Sequence, residues 1–107
     1  MTEELKANFI LCLWYMGWRD VKKVRWVGQI IFEGYIDGHF EQCPSPDANF
    51  CAEVVRKLID NGCMRYIYNY LNIHKFHAVE IMFASVETKL EILARIIEEC
   101  GLVKEQL

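Results

Sequence analysis

Apolar residues recur along this chain with two different periods, one of about 3.6 residues and one of two, and these separate helical from extended segments. Residues 2–16 open with two glutamates, which suit the positive end of a helix dipole, and they predict a first helix. Its second half, residues 9–16, is apolar at every position. We therefore expect a helix that ends at Gly17 and is buried on more than one side or contacts a partner.

A second region, residues 24–40, is rich in β-branched and aromatic side chains and predicts strands. Gly28 and Gly34 interrupt this region, and we interpret them as bend or bulge positions. Asp37-Gly38 lies between short apolar runs and is typical of a two-residue hairpin turn. Antiparallel strands with a hairpin at Asp37-Gly38 are therefore expected.

Two later stretches, residues 65–71 and residues 76–84, alternate with a period of two and also predict strands. Because only a short loop separates them, they are expected to pair as an antiparallel hairpin. In the first strand Tyr66, Tyr68 and Tyr70 fall on one predicted face. That face is either an aromatic core layer under a helix or an exposed recognition strip.

The run Pro44-Ser45-Pro46-Asp47 is the clearest helix start in the chain. Ser45 is predicted as the N-cap and Pro46 as the first helical residue, where the N–H that proline lacks is not needed. The apolar residues that follow share one helical face: Cys51, Val54, Val55, Leu58 and Ile59. Asn61-Gly62 is expected to end this helix in a left-handed cap.

Ser85 predicts the cap of a last, amphipathic helix that ends at Gly101. The order helix, strands, helix, strand pair, helix indicates the α+β class. We expect one domain over residues 1–101, in which an antiparallel sheet of about four strands packs with three helices in α/β/α sandwich-like layers. Residues 102–107 are expected to form a C-terminal tail.

Composition and charge narrow the classes of partner. The chain has 107 residues, of which 53% are hydrophobic, and this excludes a disordered protein. Its formal net charge of −3 argues against a general nucleic-acid binder, which is normally basic. The longest apolar run is far shorter than the roughly 20 residues that cross a bilayer. We therefore expect neither nucleic acid nor a membrane as the partner.

Cysteine usage indicates a reducing compartment. The five cysteines form no Cys-x-x-Cys pair, and the N-terminus is acidic where a secretory signal would be basic. Cys12, Cys51 and Cys100 fall on apolar faces of predicted helices, so we expect buried free thiols there. A cytoplasmic protein is the expectation.

Residues with catalytic or metal-binding chemistry do not form a recognised pattern. Four of them are conceivable zinc ligands: His39, Cys43, Cys51 and Cys63. Their spacings match no recurring structural zinc site, so we expect neither a metal nor a cofactor. An enzyme would have to use His77 with Glu80 as an acid–base pair, or Cys43 as a nucleophile ahead of a helix N-terminus. We favour a protein that is not an enzyme.

Basic and aromatic residues are the better candidates for function. Basic residues cluster between residues 19 and 25, where they form either a nucleic-acid patch or a strand edge protected against aggregation, and we favour the edge. Aromatic residues in excess of core needs are typical of protein-binding or self-association surfaces. The candidate binding residues are Trp18, Arg19, Lys22, Lys23, Arg25, Tyr66, Tyr68 and Tyr70.

Three stretches together resemble a known family. They are Met16-Gly17-Trp18, the Pro44-Ser45-Pro46-Asp47 start followed by Glu53-Val54-Val55 and Leu58, and Ala84-Ser85-Val86-Glu87-Thr88 before an aliphatic helix that ends at Gly101. Over residues 5–101 the chain is similar to the phage ABA-sandwich domain proteins. The resemblance implies a small accessory phage protein in the cytoplasm of a bacterial host. It implies no catalytic residues.

The leading functional hypothesis combines this context with the aromatic surplus. It is a non-enzymatic phage protein that binds and inhibits or modulates a host bacterial protein, for example as an anti-CRISPR or other anti-defence inhibitor. A homodimer is left open. The alternative is an oligomer that binds a nucleotide signal, in which aromatic rings stack on the base and Arg or Lys hold the phosphate.

Overall fold

A computed structural model describes residues 2–75, 80–81 and 83–101 of the chain. The helices in order are α1 (Glu3–Tyr15), α2 (Ala48–Asp60), α3 (Met64–Ile73) and α4 (Val86–Cys100). The strands β1 (Arg19–Trp26), β2 (Gln29–Ile36) and β3 (His39–Gln42) lie between α1 and α2. The α+β class is confirmed. The described residues hold three strands and four helices, so the counts of about four and three are wrong.

The helix caps follow the sequence closely, with one correction. The Thr2 and Ser85 hydroxyls accept backbone N–H groups at the starts of α1 and α4. The cap of α2 is Asp47 and not Ser45, because the Asp47 carboxylate accepts the N–H of Phe50 at 2.9 Å. A carboxylate caps as well as a hydroxyl and adds a favourable charge at the helix dipole, so Pro46 stays outside the helix.

The predicted strand over residues 65–71 is wrong, because these residues belong to α3. Ile67 and the buried Tyr70 and Leu71 are spaced at i, i+3 and i+4, so a helix brings all three to one side. The tyrosines therefore do not share a face as predicted. The predicted strand over 76–84 falls partly outside the described residues, and Glu80 and Ile81 within it are helical.

The three strands form an antiparallel meander in the order β1-β2-β3. The Asp37-Gly38 hairpin is confirmed, with positive φ angles of 51° and 81° at its two residues. Gly28 is not a bend or bulge: with Val27 it forms the turn between β1 and β2, again with positive φ at both residues. The irregularity lies instead between Arg19 and Lys22, where the register shifts.

Gly34 lies opposite this irregularity and allows β1 and β2 to approach each other closely. A Cβ atom on Gly34 would lie 2.8 Å from the backbone oxygen of Arg19 and 3.2 Å from a methyl carbon of Val21. Real Cβ atoms essentially never come that near a backbone oxygen. The lack of a side chain at Gly34 is therefore what permits the close approach of β1 and β2 at this point.

The core lies among the helices and on one face of the sheet. In α4 the buried residues include Leu90, Ile96 and Ile97, and the other three helices pack against this helix. Phe9 of α1 meets Phe32 of β2 and Phe50 of α2 edge-on, with ring centroids 5.2 Å apart in both pairs. This three-ring contact joins the sheet to the helical layer.

The predicted α/β/α layering is not observed in the described residues. The sheet turns one face toward the helices, through Phe32 and the partly buried Val21 and Ile36. On its other face Trp26 and Phe40 are more than half exposed. The described part of the chain therefore has one helical layer with a sheet packed on it.

Candidate functional site

The face of the sheet turned away from the helices is the most distinctive surface of the described structure. The strand register places four rows of side chains on it. These rows are Trp26 with Gln29, Val24 with Ile31, Lys22 with Glu33 and Gln42, and Arg19 with Tyr35 and Phe40. Side chains that are directly opposite in an antiparallel pair lie on the same face. We call this surface the outer face.

The outer face is unusually apolar for a face in contact with water. Trp26 is 64% exposed, Phe40 55% and Tyr35 44%, while Val24 and Ile31 are half-buried. The rings of Tyr35 and Phe40 lie 5.2 Å apart in a tilted contact. An antiparallel sheet with one solvated face normally carries polar residues there. The outer face thus exposes aromatic area that the fold itself does not need.

A polar row divides this apolar surface in two. Trp26, Val24 and Ile31 form one cluster and the Tyr35–Phe40 pair forms the other, with the opposed Lys22 and Glu33 between them. Large aromatic side chains with nearby charges are the composition that protein-binding hot spots favour. Such a surface can bury its aromatic rings against a partner, while the charged row between the two clusters sets how the partner is aligned on the sheet.

The basic residues predicted as binding residues all lie on β1, but they have different roles. The Arg19 guanidinium donates to the backbone oxygens of Trp14, at 3.2 Å, and Trp18, at 2.9 Å, so it stabilises the C-terminal end of α1. Lys22, Lys23 and Arg25 are exposed. Of these three, Lys22 lies on the outer face, whereas the register turns Lys23 and Arg25 to the opposite side.

The predicted aromatic residues are not brought together. Trp18 and Tyr70 are each 6% exposed and belong to the core, so neither is available to a partner. Tyr66 and Tyr68 are exposed on α3, which packs against α4. Two positions along a helix turn side chains to roughly opposite sides, so these two rings do not form one surface.

Trp26, Tyr35 and Phe40 were not among the residues predicted for binding. A usable pattern was present, since Asp37-Gly38 fixes a two-residue hairpin and thereby sets Phe40 directly opposite Tyr35. Which face of that hairpin is turned to the core depends on Phe32 meeting Phe9. That contact between distant residues has no local signature in the sequence.

The described residues offer little to support metal or thiol chemistry. They contain no group of three or more His, Cys, Asp or Glu side chains that could hold a metal ion. Cys43 is buried rather than on an open loop, and burial, with a smaller effect of the Glu33 charge, raises its pKa to about 11. Such a thiol is protonated at neutral pH and is a poor nucleophile. His77 lies outside the described residues.

A groove of about 330 Å³ runs between α2 and α4 and is mainly apolar. Its lining includes Cys51, Val55 and Leu93, with Lys89 as its charged residue. Ligand sites combine such a lining with several convergent polar groups that orient the ligand. The groove lacks that set among its described lining residues, so the outer face is the stronger candidate.

The buried thiols make the stability of the fold sensitive to alkaline pH. Cys12 is fully buried, and this burial raises its pKa from 9.0 to about 12, with a smaller contribution from Cys51. A raised pKa stabilises the folded state below pH 9, and this contribution is lost as the pH rises from 9 toward 12.

We therefore expect the free energy of unfolding to fall between pH 8 and pH 10 by about 1.4 kcal/mol more in the native chain than in Cys12→Ala. Urea unfolding of both proteins at the two pH values measures this difference. The cavity that the substitution leaves destabilises the variant equally at both pH values, so it does not affect this difference. An equal fall in the two proteins would show that Cys12 ionises as easily when folded as when unfolded.

Comparison with protein families, with curated proteins and with solved structures returned no match. The similarity to the phage ABA-sandwich proteins therefore stays a prediction. Among the described residues no helix is both long and apolar enough to cross a membrane.

Proposed function

We propose that this chain is a non-enzymatic interaction protein that binds a host bacterial protein through the outer face. The observation that carries the proposal is the exposure of Trp26, Tyr35 and Phe40 on the side of the sheet opposite the helices. The bound partner would cover these rings and remove their apolar area from water.

Physical chemistry supports a binding role for these rings. Each Å² of apolar surface moved out of water contributes about 25 cal/mol, so covering exposed aromatic rings is a direct source of affinity. Tyr and Trp supply large contact area with few rotatable bonds, which keeps the entropic cost of ordering them low. Trp26 and the Tyr35–Phe40 pair lie in separate clusters and therefore offer two anchors.

The choice of a host bacterial protein rests on the resemblance to phage ABA-sandwich proteins. Small phage proteins without catalytic residues commonly act by binding and blocking a host component. Inhibition of a CRISPR effector or of another defence protein is the specific form we propose. Binding, rather than the identity of that host protein, is what the exposed rings support.

Affinity capture from a bacterial lysate with three versions of the full chain tests the proposal. The native chain and Tyr68→Ala are expected to retain the same partner, whereas Trp26→Ala/Phe40→Ala is expected to lose it. Tyr68 is a suitable control because it is an exposed aromatic residue, 59% accessible, on a different element. Circular dichroism of the three proteins checks that each is folded.

Three results would contradict the proposal. One is retention of the partner by the folded Trp26→Ala/Phe40→Ala variant at the native level. Another is loss of the partner in Tyr68→Ala alone, which would move the site to α3. Absence of any retained protein from the lysates tested would also count against it.

The second candidate function is binding of a nucleotide signal by an oligomer. It is favoured by one observation, the exposed Trp26 ring at the end of a strand that also carries exposed Lys22, Lys23 and Arg25. Calorimetry against a panel of cyclic nucleotides, with the mass measured by light scattering, separates it from protein binding. A monomer that gives no heat with any nucleotide excludes this candidate.

A further inference from the structure

We infer that the partner contributes an acidic extended segment that adds to the sheet as a fourth strand along the edge of β1. This inference rests on the proposed function and specifies the chemistry of its partner. It follows from the edge of β1, which has no neighbouring strand in the described part of the chain, from the charge of that edge and from the chemistry of the adjoining outer face.

Among the described strands, β1 lies at one edge of the sheet. In the order β1-β2-β3, one side of β1 has no neighbouring strand among the described residues. β1 has 8 residues, while the other edge strand, β3, has 4. In a hairpin with a two-residue turn the flanking pair, here Trp26 and Gln29, exchanges hydrogen bonds, and the bonding then alternates along the strand. The backbone groups of Lys23 and Arg25 consequently point to the open side.

The side chains of β1 are mostly basic. β1 has the sequence RDVKKVRW, with four basic residues and one acidic residue, in a chain whose net charge is −3. Of the two edge strands that the structure describes, the longer one therefore carries this concentration of positive charge. Lysines on an edge strand oppose pairing with a similar strand, yet the same charges attract a strand that carries glutamate or aspartate.

A second copy of this chain is a poor occupant of the edge. Antiparallel registers centred on the middle of β1 set Lys22 against its own copy, Lys23 against its own copy, or Lys23 against Arg25. Like charges directly opposite each other destabilise a strand pair. An acidic segment meets no such repulsion from these residues along β1.

The two faces of β1 differ in chemistry, and this difference predicts the side-chain pattern of the added strand. Alternate side chains of such a strand would lie beside Val24 and Trp26 on the outer face, and the others beside Lys23 and Arg25 on the opposite face. Apolar residues suit the first set of positions and acidic residues the second. The segment recognised is therefore one in which acidic and apolar residues alternate.

The experiment uses the full chain and four labelled probes, with binding followed by fluorescence anisotropy. The first is an end-blocked octapeptide that alternates glutamate and valine. The second replaces each glutamate by lysine, the third carries N-methyl groups on alternate amides, and the fourth is single-stranded oligothymidylate. The glutamate peptide is expected to bind, with the lysine and N-methylated peptides weaker by about tenfold or more, because they lose charge attraction and strand hydrogen bonds respectively.

A matched pair of charge reversals locates the binding. Lys23→Glu/Arg25→Glu is expected to weaken binding of the glutamate peptide by about tenfold, since two attractive charges become repulsive. Arg56→Glu/Arg65→Glu changes the net charge equally at exposed helical positions and is expected to leave binding unchanged. Equal loss in both variants would show attraction by overall charge and overturn the inference.

The other possible results also distinguish strand addition from its alternatives. Equal binding of the N-methylated peptide, or tighter binding of the oligothymidylate, would mean an unspecific polyanion surface and would overturn strand addition. If no peptide binds while Trp26→Ala/Phe40→Ala still loses its partner from lysate, the inference fails and the proposed function stands. If that variant also keeps its partner, the proposed function fails with it.

Discussion

Phe9→Ala is expected to lower the free energy of unfolding by about 3–5 kcal/mol, the usual cost of removing a fully buried phenylalanine. Phe9 has no exposed surface, and its ring meets Phe32 and Phe50 at 5.2 Å in edge-to-face geometry. The substitution therefore removes one aromatic contact to the sheet and one to α2 at the same time. It also leaves a cavity that three different elements would have to close.

Urea unfolding followed by circular dichroism measures this loss. Phe83→Ala is the matched control, since Phe83 is 84% exposed and its truncation is expected to change stability by less than about 0.5 kcal/mol. A loss below about 1.5 kcal/mol for Phe9→Ala would mean that the sheet is not held to the helices through this ring.

Gly34→Ala is expected to destabilise the protein by about 1–3 kcal/mol through overpacking. The added Cβ would lie 2.8 Å from the Arg19 backbone oxygen, and neither that oxygen nor the nearby Val21 backbone can move without shifting β1. The sign of this stability change is informative. Because φ at Gly34 is not positive, an alanine there would, without the clash, normally stabilise the protein by reducing the conformational entropy of the unfolded chain.

The control for this prediction is Gly38→Ala in the β2–β3 turn. Gly38 has a φ of +81° and open space around its missing Cβ, so its substitution costs backbone strain without a clash. Gly34→Ala is expected in addition to alter the amide chemical shifts of β1, whereas Gly38→Ala is expected to leave them in place. An increase in stability for Gly34→Ala would show that the two strands are further apart than described.

Local signals in the sequence were sufficient for much of the fold. Ser85 caps α4 as predicted, and Asp37-Gly38 forms the predicted hairpin with positive φ at both residues. These features depend on a few adjacent residues, so the sequence specifies them directly. Their positions agree with the prediction for that reason.

The interpretation of residues 65–71 failed because two periods overlap there. Alternate tyrosines indicate a strand, while Ile67, Tyr70 and Leu71 at helical spacing indicate a helix, and short segments do not distinguish the two. The contact with α4 decides in favour of α3, and this contact depends on residues far away in the chain. Tertiary packing thus overrides a local pattern.

The candidate site was predictable only in its charged part. The run from Arg19 to Arg25 is visible in the sequence and forms β1, a strand at the edge of the sheet, as expected. The aromatic part was not, because Trp18 and Trp26 look alike in sequence although one is 6% and the other 64% exposed. Trp18 lies in the turn after α1, where its backbone N–H donates to the oxygen of Leu13, whereas Trp26 ends β1 on the outer face.

The outer face is separate from the buried core, so binding and stability depend on different residues. Trp26 and Phe40 make no contribution to the buried core, whereas Phe9 and Phe32 are central to it. Substitutions on the outer face should therefore change binding and leave stability nearly unchanged. Substitutions in the core should change stability first.

The most direct test of the proposed binding role is a titration of the partner retained from lysate, purified, against native chain, Trp26→Ala/Phe40→Ala and Tyr68→Ala, with the stability of each variant measured on the same samples. We predict that the double variant binds about 100-fold more weakly, as loss of hot-spot aromatic residues does. Its free energy of unfolding is expected to stay within about 1 kcal/mol of the native value. Equal affinity in all three proteins would contradict the assignment of function to the outer face.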